Sequence, residues 1–121
     1  MKNKVKIAIV GSRTFNDYEF LKSAVLEVLR IEDISLIISG VADGVDTLAQ
    51  KFAKEFGIPL LVFYPKWKKF GNSAGMKRNQ YIIQYSDLVF AIRINMSKGT
   101  SNSIQHAIEK NIPIIVKDFT V

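Results

Sequence analysis

The sequence predicts an α/β fold: a single doubly wound domain with a parallel five-stranded sheet and helices on both faces. Three observations predict it. Short apolar runs alternate with stretches of helical periodicity along the chain, the pattern of βαβ units with right-handed crossovers. The first run, Lys6-Ile7-Ala8-Ile9-Val10, has alanine and β-branched residues without polar alternation, as a strand buried on both faces does. It then ends abruptly in Gly11-Ser12-Arg13, and later segments bring similar glycine and hydroxyl chemistry to the carboxyl edge, where open α/β sheets bind ligands.

Taken in order, the first strand covers residues 5–10. Gly11 allows a tight exit and leaves room for a ligand near the backbone. Ser12 adds a hydroxyl, and Arg13 a cationic fork suited to phosphate or carboxylate. After a loop over residues 12–16, a helix runs over 17–30, capped by Asn16 or Asp17. Its buried face is Phe20, Leu21, Ala24, Val25 and Val28. Residues 31–34 connect to a second strand, 36–39, which ends in Gly40. A second helix begins at Asp43 or Gly44 and stops at Phe56, before Gly57 and Pro59. The third strand is 59–64. Residues 65–73 form the longest irregular piece, a length typical of binding loops. A third helix over 74–85, a fourth strand over 88–92 and a loop over 93–100 follow. A fourth helix runs from Ser101 or Asn102 to Lys110, and the last strand is 112–116.

The long connection before the third helix fits a jump to the other side of strand one. Strand order 3-2-1-4-5 is therefore favoured over 2-1-3-4-5. It sets a topological switch point between strands one and four, with the Gly11-Ser12-Arg13 loop facing the loop over 93–100.

A chain of 121 residues fits one domain, spanning 1–121, and 48% hydrophobic content suffices for a core. The absence of cysteine excludes disulfides and thiolate metal sites. A single histidine, His106, excludes a multi-histidine site and reads as structural or exposed, so no metal is expected and no cofactor is required. Met1-Lys2-Asn3-Lys4 leads straight into a strand without a cleavage pattern, and no apolar run could cross a bilayer. A cytoplasmic protein with no membrane partner is expected. The net charge of +6 favours anionic partners. Its densest cluster is Lys66-Trp67-Lys68-Lys69, either a solvated loop or a site where Trp67 stacks on a base.

Three segments carry candidate chemistry. Ser39-Gly40-Val41-Ala42-Asp43-Gly44-Val45-Asp46 is a strand-to-helix turn whose free amides suit an anion. Asp43 reads as its cap, and Asp46 either as first-turn acid or as a partner for ligand hydroxyls. Asn72-Ser73-Ala74-Gly75-Met76-Lys77-Arg78-Asn79 opens the third helix with Arg78 and Asn79 one turn in, able to reach across a cleft. Gly75 there points to close approach of ligand or backbone, whereas Met76, Ile82 and Ile83 read as core. Ser97-Lys98-Gly99-Thr100-Ser101-Asn102-Ser103 is the third turn whose amides and hydroxyls suit phosphate.

In this order and spacing the segments resemble the SLOG superfamily of Rossmann-like proteins, above all its small YspA-like, cpYpsA-related branch. The likeness spans nearly the whole chain: G-S-R, S-G-x-A-D-G-x-D, P-x-W with A-G-x-x-R-N, and G-T. The second segment also resembles the glycine-rich turn of the DNA-processing protein DprA. The resemblance implies a pocket for a nucleotide or nucleotide-derived ligand, with ADP-ribose-like molecules leading. On its motif positions fall Gly11, Ser12, Arg13, Gly40, Asp46, Arg78, Asn79, Gly99 and Thr100, and Gly44 belongs to the same turn. It also implies pairing through helix faces, as a homodimer or higher homo-oligomer. The LOG-type phosphoribohydrolases carry P-G-G-x-G-T-x-x-E. Here Met96-Ser97 replaces the first glycines, and Ser103 stands where the glutamate would be.

Three functions follow from these residues. The first is a module that binds a small phosphorylated nucleotide-like ligand for sensing or sequestration. The second is a nucleotide phosphoribohydrolase or N-glycosidase using Asp46 and Arg78; with no complete catalytic set, the reading leans away from an enzyme. The third, binding of single-stranded nucleic acid by Lys66, Trp67, Lys68 and Lys69, ranks last, because glycine turns suit a compact ligand.

Overall fold

A computed structural model describes residues 4–121, so the Met1-Lys2-Asn3 start, on which the leader expectation rests, lies outside the described residues. Five strands, β1 (Val5–Gly11), β2 (Ile34–Ser39), β3 (Leu60–Val62), β4 (Leu88–Ile94) and β5 (Ile114–Phe119), form one parallel sheet. Their order is β3-β2-β1-β4-β5, the one favoured by the long connection before the third helix. The helices are α1 (Tyr18–Val28), α2 (Val45–Phe56), α3 (Trp67–Phe70), α4 (Ala74–Gln84) and α5 (Lys98–Glu109).

The sheet separates two cores. Leu21 and Val25 of α1 and Phe52 of α2 pack with Ile7, Ile9 and Phe90 on one side. Ile82 and Ile83 of α4 and Ile104 and Ala107 of α5 pack with Ala8, Val10 and Val89 on the other. β1 therefore feeds both cores, which is why its sequence lacks polar alternation. Each fully buried aliphatic or aromatic side chain here contributes roughly 1.5–3 kcal/mol of transfer free energy. Asp17 caps α1 by accepting from the Phe20 amide at 3.0 Å. Gly57 ends α2 at φ 64°, a left-handed stop that its missing Cβ permits.

Several boundaries depart from expectation. α1 ends at Val28, which is exposed rather than on the buried face, because Leu29 turns extended and residues 31–33 tighten into a 3₁₀ turn. The stretch 65–73 is ordered as α3 and a 3₁₀ turn over Gly71–Ser73, not irregular. Lys66 accepts from the amides of Lys69 and Phe70, closing a local turn. β3 is shorter than expected. β4 runs on to Ile94, and α5 starts at Lys98, leaving only residues 95–97 between them. Asn95 and Met96 make that turn at φ 49° and 54°. The last strand begins later, after Asn111 at φ 58° and Pro113, and pairs as far as Ile94 with Phe119. Met76 is exposed, not core. Among the described residues no helix is long and apolar enough to cross a membrane.

Candidate functional site

At the carboxyl ends of β1 and β4 the chain leaves a crevice of about 350 Å³. It lies at the switch point, since α1 and α2 cover one face of the sheet and α4 and α5 the other. Arg13, Asp46, Arg78, Asn79 and Thr100 line it together.

Ser12 ties the crevice floor. Its amide donates to Ile92 O at 2.9 Å, and its carbonyl accepts from the amides of Phe15 and Val45, each at 3.3 Å. Its hydroxyl accepts from the Ile94 amide at 2.9 Å and lies 2.7 Å from the Ser97 hydroxyl. Ser97 donates onward to Thr100 Oγ1 at 3.2 Å. Because the one proton of Ser97 goes to Thr100, the Ser12 hydroxyl donates to Ser97, and the Thr100 proton is left for an occupant of the crevice.

In the α2 turn, two of the amides expected to be open are engaged within the protein, those of Ala42 and Val45. Gly44, not Asp43, occupies the cap position, and no side chain caps the helix. The Val45 amide meets Ser12 O, and the Ala42 amide donates to Asp46 Oδ2 at 3.0 Å. Asp46 Oδ1 accepts from the Ser39 hydroxyl at 3.0 Å. Gly44 sits at φ 75°, where a Cβ would come within 2.4 Å of Ser12 O. Its role is close backbone packing. Gly40 likewise stands behind the crevice: a Cβ there would meet Arg78 Nη1 and Asp46 Oδ2, each at 2.6 Å. Gly11 does line the crevice, yet its Cβ would strike Ile92 O at 2.4 Å.

Asp46 and Arg78 form the electrostatic centre. Burial pushes the Asp46 carboxyl above the ordinary range, while the Ala42 and Ser39 hydrogen bonds and the Arg78 charge pull it back. Burial lowers the Arg78 guanidinium; Asp46 opposes that, and Arg13 adds like-charge repulsion. Arg78 Nε donates to Asn79 Oδ1 at 3.0 Å, so Asn79 aims the guanidinium. Asn79 Nδ2 in turn holds Asn102 Oδ1 at 3.2 Å and Gly99 O at 3.4 Å, anchoring α4 to α5.

Lys98, Gly99 and Thr100 belong to the first turn of α5 rather than to a loop. No side chain caps that helix, so its leading amides remain available beside the crevice. A Cβ on Gly99 would meet nothing within 4 Å, so this glycine leaves open space.

Trp67 does not line the crevice. It lines an adjoining hollow of about 280 Å³ that shares Arg13, Ala42 and Arg78 with it, and Gly75 lies there too. Thr14, which no motif marks, lines the crevice, as do Ser97 and Ser103, which the sequence marks only as members of a hydroxyl-rich turn. The hydroxyl run 97–103 was the available signal for two of them. His106 is half-buried with its Nε2 lacking a partner among the described residues, away from the crevice. Among the described residues no group of three or more His, Asp or Glu could hold a metal.

A family model described as the YspA, cpYpsA-related SLOG family matches residues 5–70, which include the β1 turn and the α2 turn. Among solved structures, the chain is similar to DNA processing protein A (DprA) from Streptococcus pneumoniae, with a TM-score of 0.59 and 18% identity over 94% of this chain. It spans 59% of that chain's length, and at this identity the likeness is one of fold. No curated protein matches the sequence.

Proposed function

The chain belongs to the YspA, cpYpsA-related SLOG family, and we propose on that premise that its crevice binds a phosphorylated, nucleotide-derived ligand. An ADP-ribose-like molecule is the leading candidate, and sensing or sequestration the role. The observation that carries this reading is that Arg13 and Arg78 line one crevice, where burial and then the like charge of Arg13 weigh on the Arg78 guanidinium. An anion seated between two guanidinium groups removes their repulsion and takes charged hydrogen bonds from both. The uncapped amides of α5 and the Thr100 hydroxyl supply further donors. Asp46 offers its remaining lone pairs to ligand hydroxyls, and the Trp67 hollow offers a base its place. The crevice volume falls within the usual range for small-molecule sites.

A hydrolase reading has one observation in its favour: Asp46 is a buried carboxyl with a raised pKa in the crevice. Against it, both Asp46 oxygens already accept hydrogen bonds from within the protein, and Ser103 occupies the position of the phosphoribohydrolase glutamate. We therefore favour binding without turnover.

Native mass spectrometry of freshly purified protein, with and without added ADP-ribose, tests the reading. The expected result is a bound species of a nucleotide-derived mass, or one formed on addition. An unliganded spectrum that added ADP-ribose leaves unchanged overturns ADP-ribose as the ligand. The same failure with a panel of nucleotides overturns the nucleotide reading.

A further inference from the structure

Arg78 faces three hollows at once. Besides the crevice and the Trp67 hollow, it lines a third groove of about 490 Å³ between β3 and α4. That groove is aromatic. Phe63 stacks on Tyr81 with centroids 6.2 Å apart and planes 22° apart, and lies 5.6 Å from Tyr85. Tyr64 and Phe70 line it as well. Its cations are Lys66, Lys77 and Arg78, and no carboxylate lines it among the described residues. Tyr64 is 68% exposed and Tyr85 53% exposed, so neither ring serves the core.

Single exposed aromatics are ordinary, but several rings along one groove with three cations and no acid are a patterned surface. An apolar protein partner would need the rings and not the cations. A polyanion without flat groups would need the cations and not the rings. A single nucleic-acid strand needs both, since bases stack on aromatic faces while the backbone follows positive charge. The net charge of +6 agrees in sign.

We propose that this groove is a stacking site for single-stranded nucleic acid, entered from the crevice. A terminal phosphate sits between Arg13 and Arg78, and the first base lies on Trp67. The following bases lie along Tyr64, Tyr81 and Tyr85, with Lys66 and Lys77 on the intervening phosphates. The placement of the terminal phosphate rests on the crevice reading; the groove does not.

Trp67 is the sole tryptophan, so its fluorescence reports stacking directly. The probes are 5′-phosphorylated hexadeoxyadenylate and deoxyadenosine 5′-monophosphate, which share base and terminal phosphate and differ only in chain length. The hexamer is expected to bind at least about tenfold tighter than the monomer. It should also lose affinity more steeply with added salt, because it engages more phosphates. Tyr64→Ala with Lys77→Ala, both exposed positions outside the crevice, should bring the hexamer to the monomer's affinity and leave the monomer's unchanged. Equal affinities for hexamer and monomer, or a hexamer indifferent to the double variant, overturn the proposal while leaving the crevice reading standing. A hexamer that binds through Tyr64 and Lys77, beside a mononucleotide and ADP-ribose that do not bind, supports the groove and overturns the crevice reading instead.

Discussion

The hydroxyls of Ser12 and Ser97 lie 2.7 Å apart although 85 positions separate them in the chain. That contact closes the switch point. It joins the turn after β1 to the turn before α5, and through Thr100 it presents a hydroxyl to the crevice. The site is therefore an outcome of strand order: β1 and β4 must be neighbours before these two serines can meet.

Ser12→Ala should destabilise the fold as well as the site. The Ile94 amide loses its acceptor, and the Ser97 hydroxyl loses its donor. A cost of about 1–3 kcal/mol is expected in urea unfolding. A stability unchanged to within about 0.5 kcal/mol would show that water replaces the serine without penalty.

The glycines should divide by what stands where their Cβ would be. Gly44→Ala puts a methyl group against Ser12 O and Arg13 O at a φ of 75°, and neither backbone atom can swing away. A loss of about 2 kcal/mol or more is expected. Gly75→Ala meets nothing within 4 Å inside a helix and should stabilise by about 0.5–1 kcal/mol. Thermal unfolding of both variants checks the contrast, and equal shifts would contradict it.

Asp46 should leave a signature in the pH dependence of stability. Burial raises its folded pKa above the unfolded value of about 3.9. Between those values the native state holds a proton that the unfolded chain has released. Its contribution is therefore fully present below the unfolded pKa and is lost as pH rises through the folded one. Asp46→Asn removes that falling limb while its Oδ1 still accepts from the Ala42 amide and its Nδ2 donates to Ser39 Oγ, whose own proton goes to Ile9 O at 2.7 Å. Denaturant curves for both proteins from acidic to neutral pH provide the test, and parallel profiles would contradict the raised pKa.

Much of this was legible in the chain because particular residues permit few alternatives. The run 7–10 has no polar residue on either face, as a strand between two layers does, and Gly57 followed by Pro59 marks a helix end. The site was legible in its residue types but less so in their roles. Gly40 and Gly44 read as ligand-facing, yet the space left by their missing Cβ atoms is filled by Asp46 and Arg78 and by the Ser12–Arg13 backbone. A sequence shows that a Cβ is absent, not what takes its place. The Ser12–Ser97 contact depends on β4 running to Ile94 and on left-handed Asn95 and Met96, residues for which that conformation is not the default. The aromatic groove joins Tyr64 to Tyr81 and Tyr85 across the β3–α4 connection, and only the turn 81–85 is local in sequence.

The most direct test of the central claim is calorimetric titration of ADP-ribose into the wild-type chain and Arg13→Ala. Arg13 is exposed on its loop, so the variant should keep the wild-type melting temperature. The expected result is saturable binding to the wild type, weakened at least about tenfold in the variant by loss of a charged hydrogen-bonding group. Saturable binding with the same affinity in both proteins, or no binding to the wild type, would contradict a phosphate seated between Arg13 and Arg78.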